Sequence, residues 1–342
     1  MRKLLIVLAI PLLLILVYLA GPRPVFKKVK KPEITVTAAS LLELEQSIKD
    51  KEAQVENIKE NNEARIVWAD SARQTEYVLV YIHGFSASPM EGNPTHYEFA
   101  KRYGMNMYIA RLAQHGIDNP ESFVDLTPQD LIESAQEAIE IGRKLGKKMI
   151  LMSCSTGSTL SIYLAAQDKT DIAGLIMYSP NIQLFDPMAS LMTMPWGDEI
   201  THAILGDYRD NEELKGKEGA KYSTVTYRSE GVIALQSLLD QTMQPAVFQK
   251  IEVPYLIVCY YKNEEEQDPT VSVQAMRDFM TQTATPDDLK RLTEVENAKT
   301  HVIPSGIYCK DLEAVHQASY SYAEEVLGLV PVSMEPVMEE EE

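Results

Sequence analysis

Short apolar runs rich in β-branched residues recur along the chain at 65–68, 77–82, 106–111, 148–153, 172–178, 254–261 and 291–295. Between most of them the apolar positions change to helical spacing, over 128–145, 156–167 and 271–282. Strands alternating with helices predict an α/β fold with a mostly parallel sheet covered on both faces, because such strands are buried on both sides. In sheets of this kind chemistry gathers at the carboxyl ends of the strands.

The rhythm breaks between 181 and 250. No strand is convincing there, while Met188, Leu191, Met192, Met194, Trp196, Ile200 and Leu205 supply apolar bulk, so a mainly helical insertion is expected. Upstream, 40–61 carries Leu41, Leu44, Ile48, Val55 and Ile58 near helical spacing. This helical stalk is expected to pack on the domain. The pattern divides the chain into a membrane anchor or signal segment (1–21), a basic linker and helix (22–62), a first core part (63–180), the insertion (181–250), a second core part (251–330) and an acidic tail (331–342).

After Met1, Arg2 and Lys3 the run 4–20 is uncharged, at the short end of the ~17–25 residues that span a bilayer. A cleaved signal peptide is the rival, but cleavage after Ala20 would place Tyr18 where a small residue is preferred. An uncleaved, single-pass N-terminal anchor is therefore expected. Arg23, Lys27, Lys28, Lys30 and Lys31 outnumber Arg2 and Lys3 across the run, which argues against the usual N-in insertion. The charge count leaves the side of the membrane open, with the extracytoplasmic side slightly favoured.

Composition narrows the function. With 50 acidic against 32 basic residues the net charge is −18, and such a surface repels phosphate backbones, which argues against nucleic-acid binding. The cysteines Cys154, Cys259 and Cys309 form no CxxC pair, so neither a zinc site nor a disulfide framework is signalled. Cys259 lies in an apolar run and reads as a small core residue.

Three strand ends carry candidate chemistry. The run 148–153 leads directly into Ser153-Cys154-Ser155-Thr156-Gly157 and then a helical pattern, the strand–turn–helix context of a nucleophile elbow centred on Ser155. Ser153 stands where the usual motif has its first glycine; the competing reading makes Ser155 a plain helix cap. The run 77–82 is followed by His83-Gly84-Phe85-Ser86, where a glycine turn can present the Phe85 amide, with that of Thr156, to a developing oxyanion. The base and its acid should follow in the order Ser, acid, His. His301 falls in the loop after the last strand, whereas His316 sits inside a helical run at 311–326. Asp268, after the penultimate strand and before Pro269, is the preferred acid and also reads as a helix N-cap. Glu264, Glu265 and Glu266 are rivals in a run of like charge, and Asp186 follows the preceding strand.

Taken together, His83-Gly84-Phe85, the His115-Gly116 turn after Arg111, Ser153–Gly157, Asp268-Pro269 and His301-Val302 resemble the α/β-hydrolase superfamily, in particular its branch of monoacylglycerol lipases, carboxylesterases and serine aminopeptidases, over about 65–329. The resemblance implies an eight-stranded, mostly parallel sheet with a cap inserted before the acid-bearing strand, and a structural His115 that braces its turn. The first strand or two of that sheet are not evident.

The expected chemistry is acyl transfer to water: Ser155 attacks, His301 moves the proton and Asp268 fixes the imidazole, with no metal or organic cofactor. Small acyl esters of short to medium chain or monoacylglycerol-like lipids are the expected substrates. The alternatives are a peptidase or acyltransferase on the same triad, or a membrane-tethered binding module without catalysis.

Overall fold

The computed structural model describes residues 13, 15–211 and 214–332. A seven-stranded sheet runs in the order β1 (Arg65–Val67), β3 (Asn106–Ile109), β2 (Thr75–Ile82), β4 (Gly146–Cys154), β5 (Ile172–Tyr178), β8 (Tyr255–Cys259) and β9 (Lys290–Glu294). Only the β1–β3 pair is antiparallel. Side chains alternate across the sheet as the pleat requires. Val78, Val80 and Ile82 of β2 join one core, with helices α3 (Pro128–Leu145) and α4 (Thr156–Gln167). Leu79 and Tyr81 join the other, with Phe99 of α2 (Thr95–Arg102) and Tyr322 of α9 (Leu312–Glu325). Cys259 is fully buried in the first core, as a small apolar residue would be. Every apolar run read as a strand is one, and α3 begins where its sequence says it should. Thr127 and Asp130 cap each other's amides, and Pro128 takes the first helical position.

The eighth strand implied by the resemblance is not among the described residues. Upstream of β1 the chain forms α1 (Leu41–Ala53), and before that an extended strap containing Pro22, Pro24 and Pro32. Proline has no N–H to give a sheet ladder, which explains why this stretch does not add a strand. The strap is no free linker. Val29 is buried, with its amide on Gln241 Oε1 at 2.8 Å, and Lys31 Nζ reaches Asp168 Oδ2 at 2.7 Å.

Helix α1 packs on the domain through Leu44 and Ile48, and a buried ion pair ties it down. Glu52 Oε2 lies 2.6 Å from Arg111 Nε and also accepts the Ala64 amide at 2.9 Å, with both charged side chains 8% exposed. Truncating Glu52 would leave a buried guanidinium and an amide unpaired. Glu52→Ala is therefore expected to cost about 3–5 kcal/mol in urea unfolding; an unchanged midpoint would show α1 to be peripheral.

Segment 181–250 contains a 3-10 turn (Pro187–Thr193), α5 (Gly197–Leu205), α6 (Glu230–Thr242) and α7 (Pro245–Phe248). It also contains two strands that the sequence pattern did not show, β6 (Tyr208–Asp210) and β7 (Thr226–Arg228), paired antiparallel. Three residues each, with polar side chains, they are too short for a period-2 signal. Among the described residues no helix is long and apolar enough to cross a membrane. Most of the run 4–20 expected to be the anchor lies outside the described residues, as does most of the acidic tail. Within that run, residues 15–19 are helical, and Val17 O accepts from Trp196 Nε1 at 3.3 Å.

Candidate active site

The strand register brings the candidate residues to one rim. Ile82 pairs with Ser153, Cys154 with Tyr178, Tyr178 with Val258, and Cys259 with Glu294. The chains that leave β2, β4, β5, β8 and β9 therefore all depart from the same carboxyl-terminal edge. That edge holds His83–Ser86, Ser155, Asp268 and His301.

Ser155 occupies the junction of β4 and α4 with φ 51° and ψ −118°, well outside the wells that L-residues ordinarily populate. Neighbouring backbone holds it there: its amide donates to Tyr178 O at 2.9 Å and its carbonyl accepts from Asn181 N at 3.2 Å. The side chain makes no cap hydrogen bond, so the plain-cap reading fails and Oγ is left unengaged among the described residues. Gly157 is required by the turn. A Cβ there would overlap the Ile82 carbonyl oxygen and stand 2.7 Å from that of His83. Ser153 is accommodated in place of the first glycine because its hydroxyl finds Ser158 Oγ at 3.0 Å. Cys154, next in line, points away into the opposite core and is fully buried. Burial and the nearby Glu91 and Asp268 carboxyls push its thiol pKa well up, which disfavours a thiolate nucleophile.

His301 and Asp268 meet. Nδ1 of His301 lies 2.8 Å from Asp268 Oδ2 and 3.1 Å from Oδ1. Asp268 has no solvent exposure, and its Oδ1 also accepts the amides of Thr270 at 2.9 Å and Val271 at 3.1 Å. Burial would raise its pKa, but the facing imidazole and these hydrogen bonds outweigh it and hold the carboxyl below its ordinary range. Burial likewise favours neutral His301, and again the Asp268 charge wins, raising the imidazole above its ordinary value.

The reading of Asp268 as a helix N-cap is corrected. Helix α8 spans Val273–Gln282 and is capped by Ser272, whose Oγ accepts from Ala275 N; Asp268 Oδ1 serves the turn before it. The rivals lie elsewhere. Asp186 Oδ1 caps the 3-10 turn at Met188 N, Glu264 accepts from Tyr261 Oη, and Glu266 pairs with Lys262. His316 Nε2 lies 3.0 Å from Thr95 Oγ1 within the fold.

The turn after β2 is braced on both sides. Leu112 N donates to His83 Nε2 at 3.1 Å, so the ring proton sits on Nδ1 and is given to Gly84 O at 2.8 Å. Burial pushes His83 down to about 4, keeping it neutral. His115 Nδ1 lies 2.7 Å from Ala113 O, and its buried ring contacts those of His83, Phe85 and Phe123. Among the described residues the amides of Phe85 and Thr156 have no acceptor. Two such unengaged donors flanking a serine are what an oxyanion requires.

The rim is covered from the 181–250 segment. Thr224 N donates to Ser86 O at 2.7 Å, Tyr227 packs edge-on against Phe85, and Phe185 N donates to Thr270 O at 2.9 Å. Ser155 is consequently only 7% exposed. Two clefts of about 550 and 410 Å³, lined by residues such as Glu52 and Arg65 or Lys59 and Thr226, include none of Ser155, Asp268 or His301. The chemistry of the side chains, not the size of a cleft, locates the site. One buried acid at this rim, Glu91, carries no signal in the sequence. It lies in a short turn without periodicity or motif.

No protein-family model matches the chain, and no curated protein matches it. Solved structures do. One, described with the metagenome-derived lipolytic enzymes LipS and LipT, has a TM-score of 0.62 at 16% identity, covering 78% of this chain and 98% of that one. A monoacylglycerol lipase of Paleococcus ferrophilus has a TM-score of 0.55 at 13% identity, covering 78% and 98%. Est1E from Butyrivibrio proteoclasticus has a TM-score of 0.52 at 17% identity, covering 78% and 94%. At these identities the likeness speaks to architecture, and together with the sheet order and the elbow it establishes that the chain has the α/β-hydrolase fold.

Proposed function

We propose that the protein is a serine hydrolase of carboxylic esters, acting through Ser155, His301 and Asp268 and an acyl-enzyme, with the Phe85 and Thr156 amides as oxyanion donors. The observation that carries this reading is the Asp268–His301 hydrogen bond at the rim that also holds the strained Ser155 turn. An imidazole bonded at Nδ1 to a carboxylate keeps Nε2 available to take a serine proton and later return it to the leaving alcohol. The names of the structural neighbours, lipolytic enzymes and a monoacylglycerol lipase, support esters over other acyl compounds. Exposed Phe185, Met188, Met194 and Ile204 on the covering segment support an apolar acyl group, of short to medium length or from a monoacylglycerol-like lipid.

The test is labelling of the full chain by a fluorophosphonate probe, followed by turnover of a panel of esters and aminoacyl amides. Labelling with ester turnover supports the proposal. Labelling with amide turnover alone moves it to a peptidase, and absence of both overturns it in favour of a non-catalytic module.

The location is proposed on the run 4–20 and its basic flank. These residues tether the enzyme to a membrane, and protease accessibility of the catalytic part reads which side it faces. A chain begun at Gly21 keeps Val29 and Lys31 in their packed positions and is expected to stay active in the soluble fraction. The full chain is expected to resist carbonate extraction, as a spanning helix held by the hydrophobic effect does. A mature N-terminus near Gly21 would refute the anchor.

A further inference from the structure

Glu91 lies on the single 3-10 turn Pro89–Gly92 that follows the glycine turn of the site, and it is 6% exposed. Carboxylates are seldom so buried without a cation, yet among the described residues no lysine or arginine pairs with this one. Its Oε2 instead accepts the Gly84 amide at 2.8 Å and Tyr81 Oη at 3.1 Å. Gly84 stands against both Glu91 and Ser155. A Cβ on Gly84 would stand 2.9 Å from Glu91 Oε1 and 3.1 Å from Ser155 Cβ.

Both polar groups of Gly84 are thereby committed, the amide to Glu91 and the carbonyl to His83. The peptide joining Gly84 to Phe85 is planar, so fixing the glycine fixes the direction of the Phe85 N–H. The titratable groups facing the carboxyl come from three places: Tyr81 of β2, Cys154 at the end of β4, and His301 with Tyr308 from the loop after β9. Burial raises the Glu91 pKa above its ordinary value, and the Gly84 amide and the His301 imidazole offset this only in part. In return Glu91 adds to Asp268 in raising His301 against the effect of burial.

We propose that Glu91 is a positioning residue of this site: through the Gly84 amide it holds the oxyanion-side turn and so aims the Phe85 N–H. The proposal rests on the reading of Ser155, His301 and Asp268 as a triad. A merely structural acid would be read in stability alone, whereas one that aims the Phe85 N–H is read in kcat with KM unchanged and is rescued by glutamine.

The experiment measures kcat and KM for a p-nitrophenyl ester between about pH 5 and 9 for the full chain, Glu91→Gln and Glu91→Ala, with fluorophosphonate labelling of each. Glu91→Gln retains an oxygen for the Gly84 amide but loses the charge. Its acid limb in kcat/KM is expected to move to lower pH, with the plateau kcat within about threefold of the parent. Glu91→Ala loses the acceptor as well, and its plateau kcat is expected to fall about ten- to a hundredfold with little change in KM. A folded Glu91→Ala whose plateau kcat stays within about twofold of the parent overturns the proposal; so does a folded Glu91→Gln whose plateau falls about tenfold or more, which decides the matter if the alanine variant does not fold. A parent chain that fails to label overturns the triad reading instead, so the two failures are distinct.

Discussion

Ester turnover by Ser155→Ala is expected to fall by on the order of 10⁴-fold or more, and covalent labelling by a fluorophosphonate to vanish. The fold should survive the change. Ser155 is held through its backbone, by Tyr178 O and Asn181 N, and its hydroxyl caps nothing, so removing Oγ leaves no buried partner unpaired. The thermal midpoint is expected to stay near that of the parent, with the strained φ of 51° borne by alanine at similar cost. Cys154 provides the control. Its thiol faces the opposite core and is held protonated by burial, so Cys154→Ala should keep most of the activity. Full labelling of Ser155→Ala, or loss of labelling in Cys154→Ala with an unchanged midpoint, would move the nucleophile and reopen the triad.

The part of this site visible in the chain was the part that rides on strand ends. Apolar runs mark where β2, β4, β8 and β9 stop, and parallel pairing then brings the loops leaving these strands to the same rim. Ser155, His301 and Asp268 could be named for that reason, and Gly157 because only a missing Cβ lets α4 pass so close to Ile82. What stayed hidden depends on contacts that no local pattern encodes. Asp268 before Pro269 has the look of a helix cap, yet three-dimensional demand from His301 and two amides claims its oxygens, and Ser272 takes the capping role four residues later. Glu91 sits in a loop without periodicity; its meaning comes only from burial against Gly84 and Tyr81. The strap before α1 reads as a basic linker, but Val29 and Lys31 find partners more than a hundred residues away. The pair β6–β7 is likewise held by pairing across a long loop, not by alternation within either strand.

Asp268→Asn is expected to lower kcat by about 10⁴-fold, with the fold intact. The carboxylate now does two jobs with two oxygens: Oδ1 accepts the Thr270 and Val271 amides, and Oδ2 lies closest to His301 Nδ1, at 2.8 Å. An asparagine can satisfy the backbone by placing its oxygen at the Oδ1 position. That choice puts its NH₂ where Oδ2 was, facing the ring. Nδ1 must then accept rather than donate, the ring proton moves to Nε2, and the base can no longer take a proton from Ser155. The charge lost also removes most of what raises His301 above its ordinary value, so the residual activity should have its acid limb at lower pH than the parent. Changing Glu264, Glu265 and Glu266 together to Gln is the matched control, because Glu264 and Glu265 are exposed and Glu266 is half-buried, with Glu264 engaged by Tyr261 and Gln267 and Glu266 by Lys262. The triple variant should stay within about twofold of the parent, as surface charges far from a reacting centre do. Steady-state kinetics on a water-soluble ester and a urea unfolding curve for each variant decide it. An inactive triple variant beside an active Asp268→Asn would assign the acid to the exposed loop and leave Asp268 as the brace of the turn before α8.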